Sequence, residues 1–177
     1  KEKGFFDDEE PHKLIVCGDL FDRGGEAVEL QNFILELLEK DEVILIKGNH
    51  EELLVDMLNS WHRASYLESH HNSNGTVDTV LQLTSSRLAN LYDNPSDVYY
   101  KMKETPFMQK ILPAMVDYFE TENYIFVHGW IPCENIRQNP YAVTYFAIDD
   151  WRNASAKQWS SARWINGMDA AHDGVID

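Results

Sequence analysis

Three observations predict an α/β fold for this chain. Two short apolar runs, Leu14-Ile15-Val16-Cys17 and Val43-Ile44-Leu45-Ile46, each end at a glycine, Gly18 and Gly48. Between them Ala27, Leu30, Ile34, Leu37 and Leu38 recur at helical spacing. Clusters of Asp, Asn and His follow the apolar runs rather than interrupting them. Short apolar runs bounded by chain breakers are the pattern of strands covered on both faces.

Taken in order, the first run predicts a strand over 14–17 and the stripe an amphipathic helix over 25–40. The second run predicts a strand over 43–46, and a further helix should cover 50–59. Strand, helix, strand, helix within so short a span indicates a βαβ unit with a right-handed crossover. From 61 to 116 there is no strand signal. Two stripes occur there, Val77, Val80, Leu81, Thr84 and Leu88, then Met108, Ile111, Leu112 and Met115. That stretch reads as a helical insertion, and its place between two polar clusters suggests a lid or specificity element. Residues 118–120 and 124–127 flank Thr121-Glu122-Asn123 and predict a hairpin. Beyond His128 the chain is rich in Trp, Asn and Ser, with periodicity too weak to place an element.

The length, 177 residues, suits a single domain over 1–177. A domain of that size buries about 70% of its unfolded surface, so no disulfide framework is required. Lys and Arg number 15 against 30 Asp and Glu, a formal charge of −15. Phosphate contacts need clustered cations, so a nucleic-acid surface is excluded as an expectation. A phosphate substrate is not, because bound metal ions supply positive charge locally. Cys17 and Cys133 are isolated beside apolar runs, which implies buried, reduced thiols and a cytoplasmic protein. No run approaches the roughly 18 apolar residues of a membrane span.

The polar clusters are Gly18-Asp19-Leu20-Phe21-Asp22-Arg23-Gly24, Gly48-Asn49-His50-Glu51 and Val127-His128-Gly129. Each sits at the carboxyl end of a strand candidate, where open α/β sheets bind ligands. A carboxylate such as Asp19 can bridge two cations, while Asn49 offers an amide oxygen and His128 an imidazole nitrogen. Arg23 presents a planar fork suited to two phosphate oxygens. His50 can protonate a leaving alkoxide, with Asp22 orienting its ring. Simpler readings exist. Asn49 with Glu52 three residues on would make a capping box, Asp22 and Arg23 could cap and flank a helix, and His128 could be a satisfied core histidine.

The GDxxDRG and GNHE motifs resemble those of the calcineurin-like metallophosphoesterases, particularly the phosphoprotein phosphatase branch. The resemblance runs from about Leu14 to Gly129. It implies a β-sandwich of two sheets flanked by helices, and two divalent metal ions, manganese first, iron or zinc otherwise. It further implies that Asp19 bridges the metals and that Asn49 and His128 ligate the second. His50 with Asp22 would be the acid pair, Arg23 the phosphate clamp, and a metal-bridging hydroxide the nucleophile. The substrate implied is a phosphorylated protein, on serine or threonine, or a small phosphoester. A dinucleoside tetraphosphate hydrolase and a catalytically inactive binding module of the same fold are the alternatives. The dinucleoside branch commonly departs from Asp-Arg-Gly, so Asp22 favours the phosphatase.

The chain also departs from the family pattern. No Asp-x-His precedes Asp19: Asp7 and Asp8 lie in an acidic loop and His12 follows Pro11. His172, in Ala-His-Asp-Gly, does not match the family's late Gly-His ligand. The chain is therefore expected to be an internal fragment of the domain. Trp130 stands where a small residue is usual, which suggests an altered substrate mouth. Arg163 is the candidate for a second phosphate-binding arginine, with Arg152 in reserve. Surface roles are expected for His62, His70, His71 and His172. The aromatic set Trp130, Tyr141, Tyr145, Trp151, Trp159 and Trp164 reads as core or rim, with a substrate-facing wall as the second possibility.

Overall fold

The structure, a computed structural model, describes residues 12–63, 66–139 and 142–168. Strand β1 (Leu14–Cys17) pairs in parallel with β2 (Val43–Ile46), from Leu14 opposite Val43 to Cys17 opposite Ile46. Helix α1 (Ala27–Glu39) makes the crossover and α2 (Asn49–Asn59) leaves the end of β2. The βαβ unit predicted from the apolar spacing is therefore present. On the edge of β2 away from β1, the Val116 N–H donates to the Leu45 carbonyl at 2.8 Å, and the Lys47 N–H donates to the Val116 carbonyl at 2.9 Å.

From that bridge β3 (Tyr118–Glu120) runs on, and β4 (Ile125–Val127) returns antiparallel with Val127 opposite Tyr118. The predicted hairpin turn closes through Thr121 N–H to the Tyr124 carbonyl at 2.8 Å. Because β3 continues past the end of β2 before β4 doubles back, His128 arrives beside the carboxyl ends of β1 and β2. The third polar cluster thus reaches the others from a strand running the opposite way.

Between 66 and 116 the described residues are mostly helical. They form α3 (Ser69–Ser73), α4 (Thr76–Thr84), α5 (Leu88–Asp93), α6 (Pro95–Lys103), a π-helical turn at Phe107–Ile111 and α7 (Leu112–Ala114). Leu88 falls in α5 rather than on the α4 stripe, because Ser85 at φ +50° ends α4. Val77, Val80, Leu91, Val98, Met102, Phe107 and Ile111 pack in one cluster with Ile34 and Leu37 of α1, Leu45 of β2, and Leu54 and Met57 of α2. Phe107 meets Phe21 edge-on at 5.0 Å. Burying each such side chain stabilises by roughly 1.5–3 kcal/mol, and this segment supplies about half of the main core. Excising 61–110 would strip the packed faces of α1 and α2.

After His128, where no element was predicted, the chain forms an antiparallel pair, β5 (Cys133–Asn139) and β6 (Ala142–Ala147), a 3₁₀ turn at Trp151–Asn153 and helix α8 (Ala156–Arg163). A capping box starts α8: Ser155 N–H donates to Gln158 Oε1 at 2.9 Å, and Gln158 N–H donates to Ser155 Oγ at 3.4 Å. Trp151, Trp159 and Ala162 form a second cluster with Tyr118 and Val127, and Tyr118 stacks on Trp159 at 5.5 Å and 9°. Two members of the aromatic set are thus core, whereas Trp164 is exposed and Tyr141 lies outside the described residues. Each described ladder is two strands wide. No helix among the described residues is long and apolar enough to cross a membrane.

Two expectations are corrected. Cys17 is exposed and Cys133 only partly buried, both as free thiols, because Cys17 closes β1 at a strand end. His71 is fully buried, while His62 and His70 are exposed and His172 lies outside the described residues. The Glu68 N–H donates to His71 Nδ1 at 3.2 Å, and His71 Nε2 lies 3.2 Å from Asp56 Oδ2. Burial first, and the charge of His70 second, hold the His71 pKa below 6.5, although Asp56 and Glu68 oppose the shift. Unfolding therefore draws a proton onto this ring. Its contribution to stability is complete above pH 6.5 and falls as pH drops from 6.5 toward the lower folded value. Urea midpoints measured from pH 7.5 to 5 should fall more steeply for the natural chain than for His71→Gln; parallel curves would refute this.

Candidate metal centre

Backbone geometry brings the first two clusters together. Gly18 adopts φ +82°, and a Cβ there would sit 2.6 Å from both the Gly48 Cα and His128 Nδ1. A Cβ on Gly48 would come within 2.4 Å of the Asp19 N and Oδ1. Only glycines allow such an approach, and Asp19 itself is held at φ +53°. The buried Glu51 carboxylate joins the loops: it accepts from Gly48 N–H at 2.7 Å, Asp19 N–H at 3.2 Å and Leu20 N–H at 2.9 Å. The capping box read from Asn49 and Glu52 is thereby corrected. Gly48 is the cap of α2, and the glutamate reaching back to it is Glu51, one residue earlier in register.

Three acceptor atoms converge above these loops. His128 Nδ1 lies 2.7 Å from the Cys17 carbonyl, which can only accept, so Nδ1 carries the hydrogen. Nε2 is left with its lone pair, 2.7 Å from Asn49 Oδ1 and 3.4 Å from Asp19 Oδ1. A carboxylate, an amide oxygen and an imidazole nitrogen thus gather at one place, where Asp19 Oδ1 also accepts from the His50 N–H at 3.1 Å. The donor set fits manganese, iron or zinc. The Cys17 carbonyl contact orients the His128 ring, as outer-shell bonds do for metal-binding histidines in general.

Beside these three side chains lies a histidine–aspartate pair. His50 Nδ1 donates to Asp22 Oδ2 at 2.8 Å, leaving Nε2 facing the centre, 3.7 Å from Asp19 Oδ2 and 3.4 Å from Arg23 Nη2. The Asp22 side chain is buried and also accepts from the hydroxyls of Thr76 and Thr79, each at 2.6 Å. The Arg23 fork is steadied by donation to Asn74 Oδ1 at 2.8 Å. Asn74, Thr76 and Thr79 were absent from the sequence reading. The signal was there in part: two threonines three apart share a helix face, beside the apolar stripe of α4.

Asp19, Asp22, Arg23, Asn49, His50 and His128 are therefore brought together, but Arg163 is not presented to them in the same way. Its Nε donates to the Lys47 carbonyl at 3.1 Å, and its two terminal nitrogens pair with Glu52 and Asp117 in a buried setting. A phosphate would have to displace a carboxylate to reach it. Arg152, the reserve, forms a two-pronged pair with Glu120 at 2.9 and 2.6 Å. Asp7, Asp8 and His172 lie outside the described residues. A separate group, Asp56, His70 and His71, holds ligand atoms within 4.8 Å of one another, though both His71 nitrogens are already engaged.

Because Glu51 satisfies three backbone donors, Glu51→Gln should cost about 2–3 kcal/mol in urea unfolding, through buried donors left without an acceptor. A loss below about 0.5 kcal/mol would show that the loops hold without it.

Residues 3–165 match the sequence signature described as Calcineurin-like phosphoesterase. No curated protein and no solved structure matches the chain. With residues 3–165 inside that signature, the chain belongs to the calcineurin-like phosphoesterase family.

Proposed function

We propose that this chain hydrolyses phosphomonoesters at a centre of two divalent cations, manganese first, and that its substrate is phosphoserine or phosphothreonine in proteins. The observation that carries the reading is the convergence of Asp19, Asn49 and His128 next to the Asp22–His50 pair and Arg23. Family membership supports metal-dependent phosphoester hydrolysis in general. Bound cations would supply Lewis acidity toward the phosphoryl group and acidify a water for attack on phosphorus.

The roles of the chain's own side chains follow from their surroundings. Asp19, Asn49 and His128 would hold metal. Arg23, its fork fixed by Asn74, would bind phosphoryl oxygens and favour the charge that builds in the transition state. His50 Nε2 faces the centre and would deliver a proton to the leaving oxygen, while Asp22, braced by Thr76 and Thr79, sets the ring. The two-sheet sandwich, a cytoplasmic location, a phosphorylated protein as partner, and the absence of nucleic-acid or membrane contacts belong to the same proposal.

The test is turnover by the chain with manganese on a phosphopeptide and on diadenosine tetraphosphate, run side by side. Asp19→Asn should abolish turnover and lower bound metal. His50→Ala should lower kcat by about 10²–10⁴-fold with bound metal unchanged, the usual range for removing a positioned proton donor. Preference for the dinucleotide would replace the phosphatase reading. No metal-dependent turnover on either substrate would leave a binding module of the same fold.

A further inference from the structure

An open cleft of ≈ 690 Å³ shares Asn49 and His128 with the metal centre and continues away from it between Trp130, Trp164, Ile165 and Met168. Trp164 and Met168 are 56% and 81% exposed, so large apolar surface is left uncovered beside the polar centre. The Trp130 ring is held in place, since it lies against Gly167 so closely that a Cβ there would come within 3.2 Å of its Cε3. Among the described residues lining the cleft, Arg163 is the one charged side chain, and all its nitrogens face Lys47, Glu52 and Asp117. A second phosphate entering the cleft would find no available cation there. A flat uncharged ring would find two indoles and two aliphatic side chains.

We infer that this cleft is a subsite for a planar, uncharged aromatic group carried by the substrate beside its phosphoryl group. The inference rests on the phosphoesterase reading and narrows its substrate class. Two sources share the chemistry: the aryl group of a small phosphoester, or an aromatic side chain flanking a phosphorylated residue. The volume is ample for one such ring, within the roughly 300–1,000 Å³ usual for ligand clefts.

Four substrates test this with the manganese-loaded chain. One pair is 2-naphthyl phosphate and glycerol 2-phosphate; the other is a phosphoserine peptide with tryptophan beside the phosphoserine and the same peptide with alanine there. The aromatic member of at least one pair should show the lower KM. Trp164→Ala should raise that KM about tenfold, the scale of one lost aromatic contact, with kcat unchanged and the non-aromatic partner unmoved. Trp164 is exposed, so its truncation should leave the fold intact, and Trp164→Phe should restore most of the loss. The pair that responds identifies the source of the ring. Equal KM values within both pairs, or equal shifts of both members in Trp164→Ala, would overturn the subsite while leaving the hydrolase reading in place. Turnover of none of the four would overturn both.

Discussion

A single buried carboxylate, that of Glu51, sets where the ends of β1 and β2 lie relative to each other. Parallel pairing alone leaves the loops beyond the strands free to diverge. Glu51 accepts hydrogen bonds from Gly48 at the start of α2 and from Asp19 and Leu20 after β1, so one side chain spans both loops. Its charge is acceptable in a buried position because three oriented N–H groups replace water. The same bonds put Asp19 at positive φ with its carboxylate turned toward Asn49 and His128, an arrangement an isolated loop would relax.

The remaining parts of the centre attach to that frame from three directions. The β3–β4 hairpin overshoots β2 and brings His128 back, where the Cys17 carbonyl orients it. Helix α4 brings two hydroxyls to Asp22, and Asn74 just ahead of it steadies Arg23. Helix α8 closes the far side, with Arg163 joining Lys47, Glu52 and Asp117 under the loop that carries Asn49. A buried ion group of this kind contributes little net stability against an apolar replacement, but breaking it leaves unpaired charge. What it provides is position, because one side chain ties α8 to Lys47, Glu52 and Asp117.

Much of this was legible in the sequence. The βαβ unit was readable because β1 and β2 are continuous apolar runs and α1 carries a clean stripe. The six central side chains were readable because short polar motifs directly follow apolar runs. Contacts made across long sequence separations were not. Nothing local marks Thr76 and Thr79 as partners of Asp22, and nothing near Arg163 tells whether its fork faces solvent or the carboxylates of Glu52 and Asp117. His71 was misplaced for the same reason, since its burial is decided by Asp56 and by packing beneath α2. The final third was obscured because edge-type strands and a short helix have weak periodicity, although Ser155 and Gln158 did carry the capping signature of α8.

The hairpin that carries His128 has a consequence for how the centre comes into being. Asp19 contacts residue 50 across 31 positions, His128 meets Asn49 across 79, and its ring is oriented by a carbonyl 111 positions away. A centre assembled from such distant pieces has no counterpart in the unfolded chain and cannot seed folding; loop closure must come first. On the proposed reading, metal capture would be a late event that draws the equilibrium toward the finished molecule, by about 2.7 kcal/mol when free ion exceeds its dissociation constant a hundredfold. If the centre holds an ion as proposed, the standing amount of this protein in a cell would follow the supply of that ion, with empty molecules opening more often and being cleared sooner.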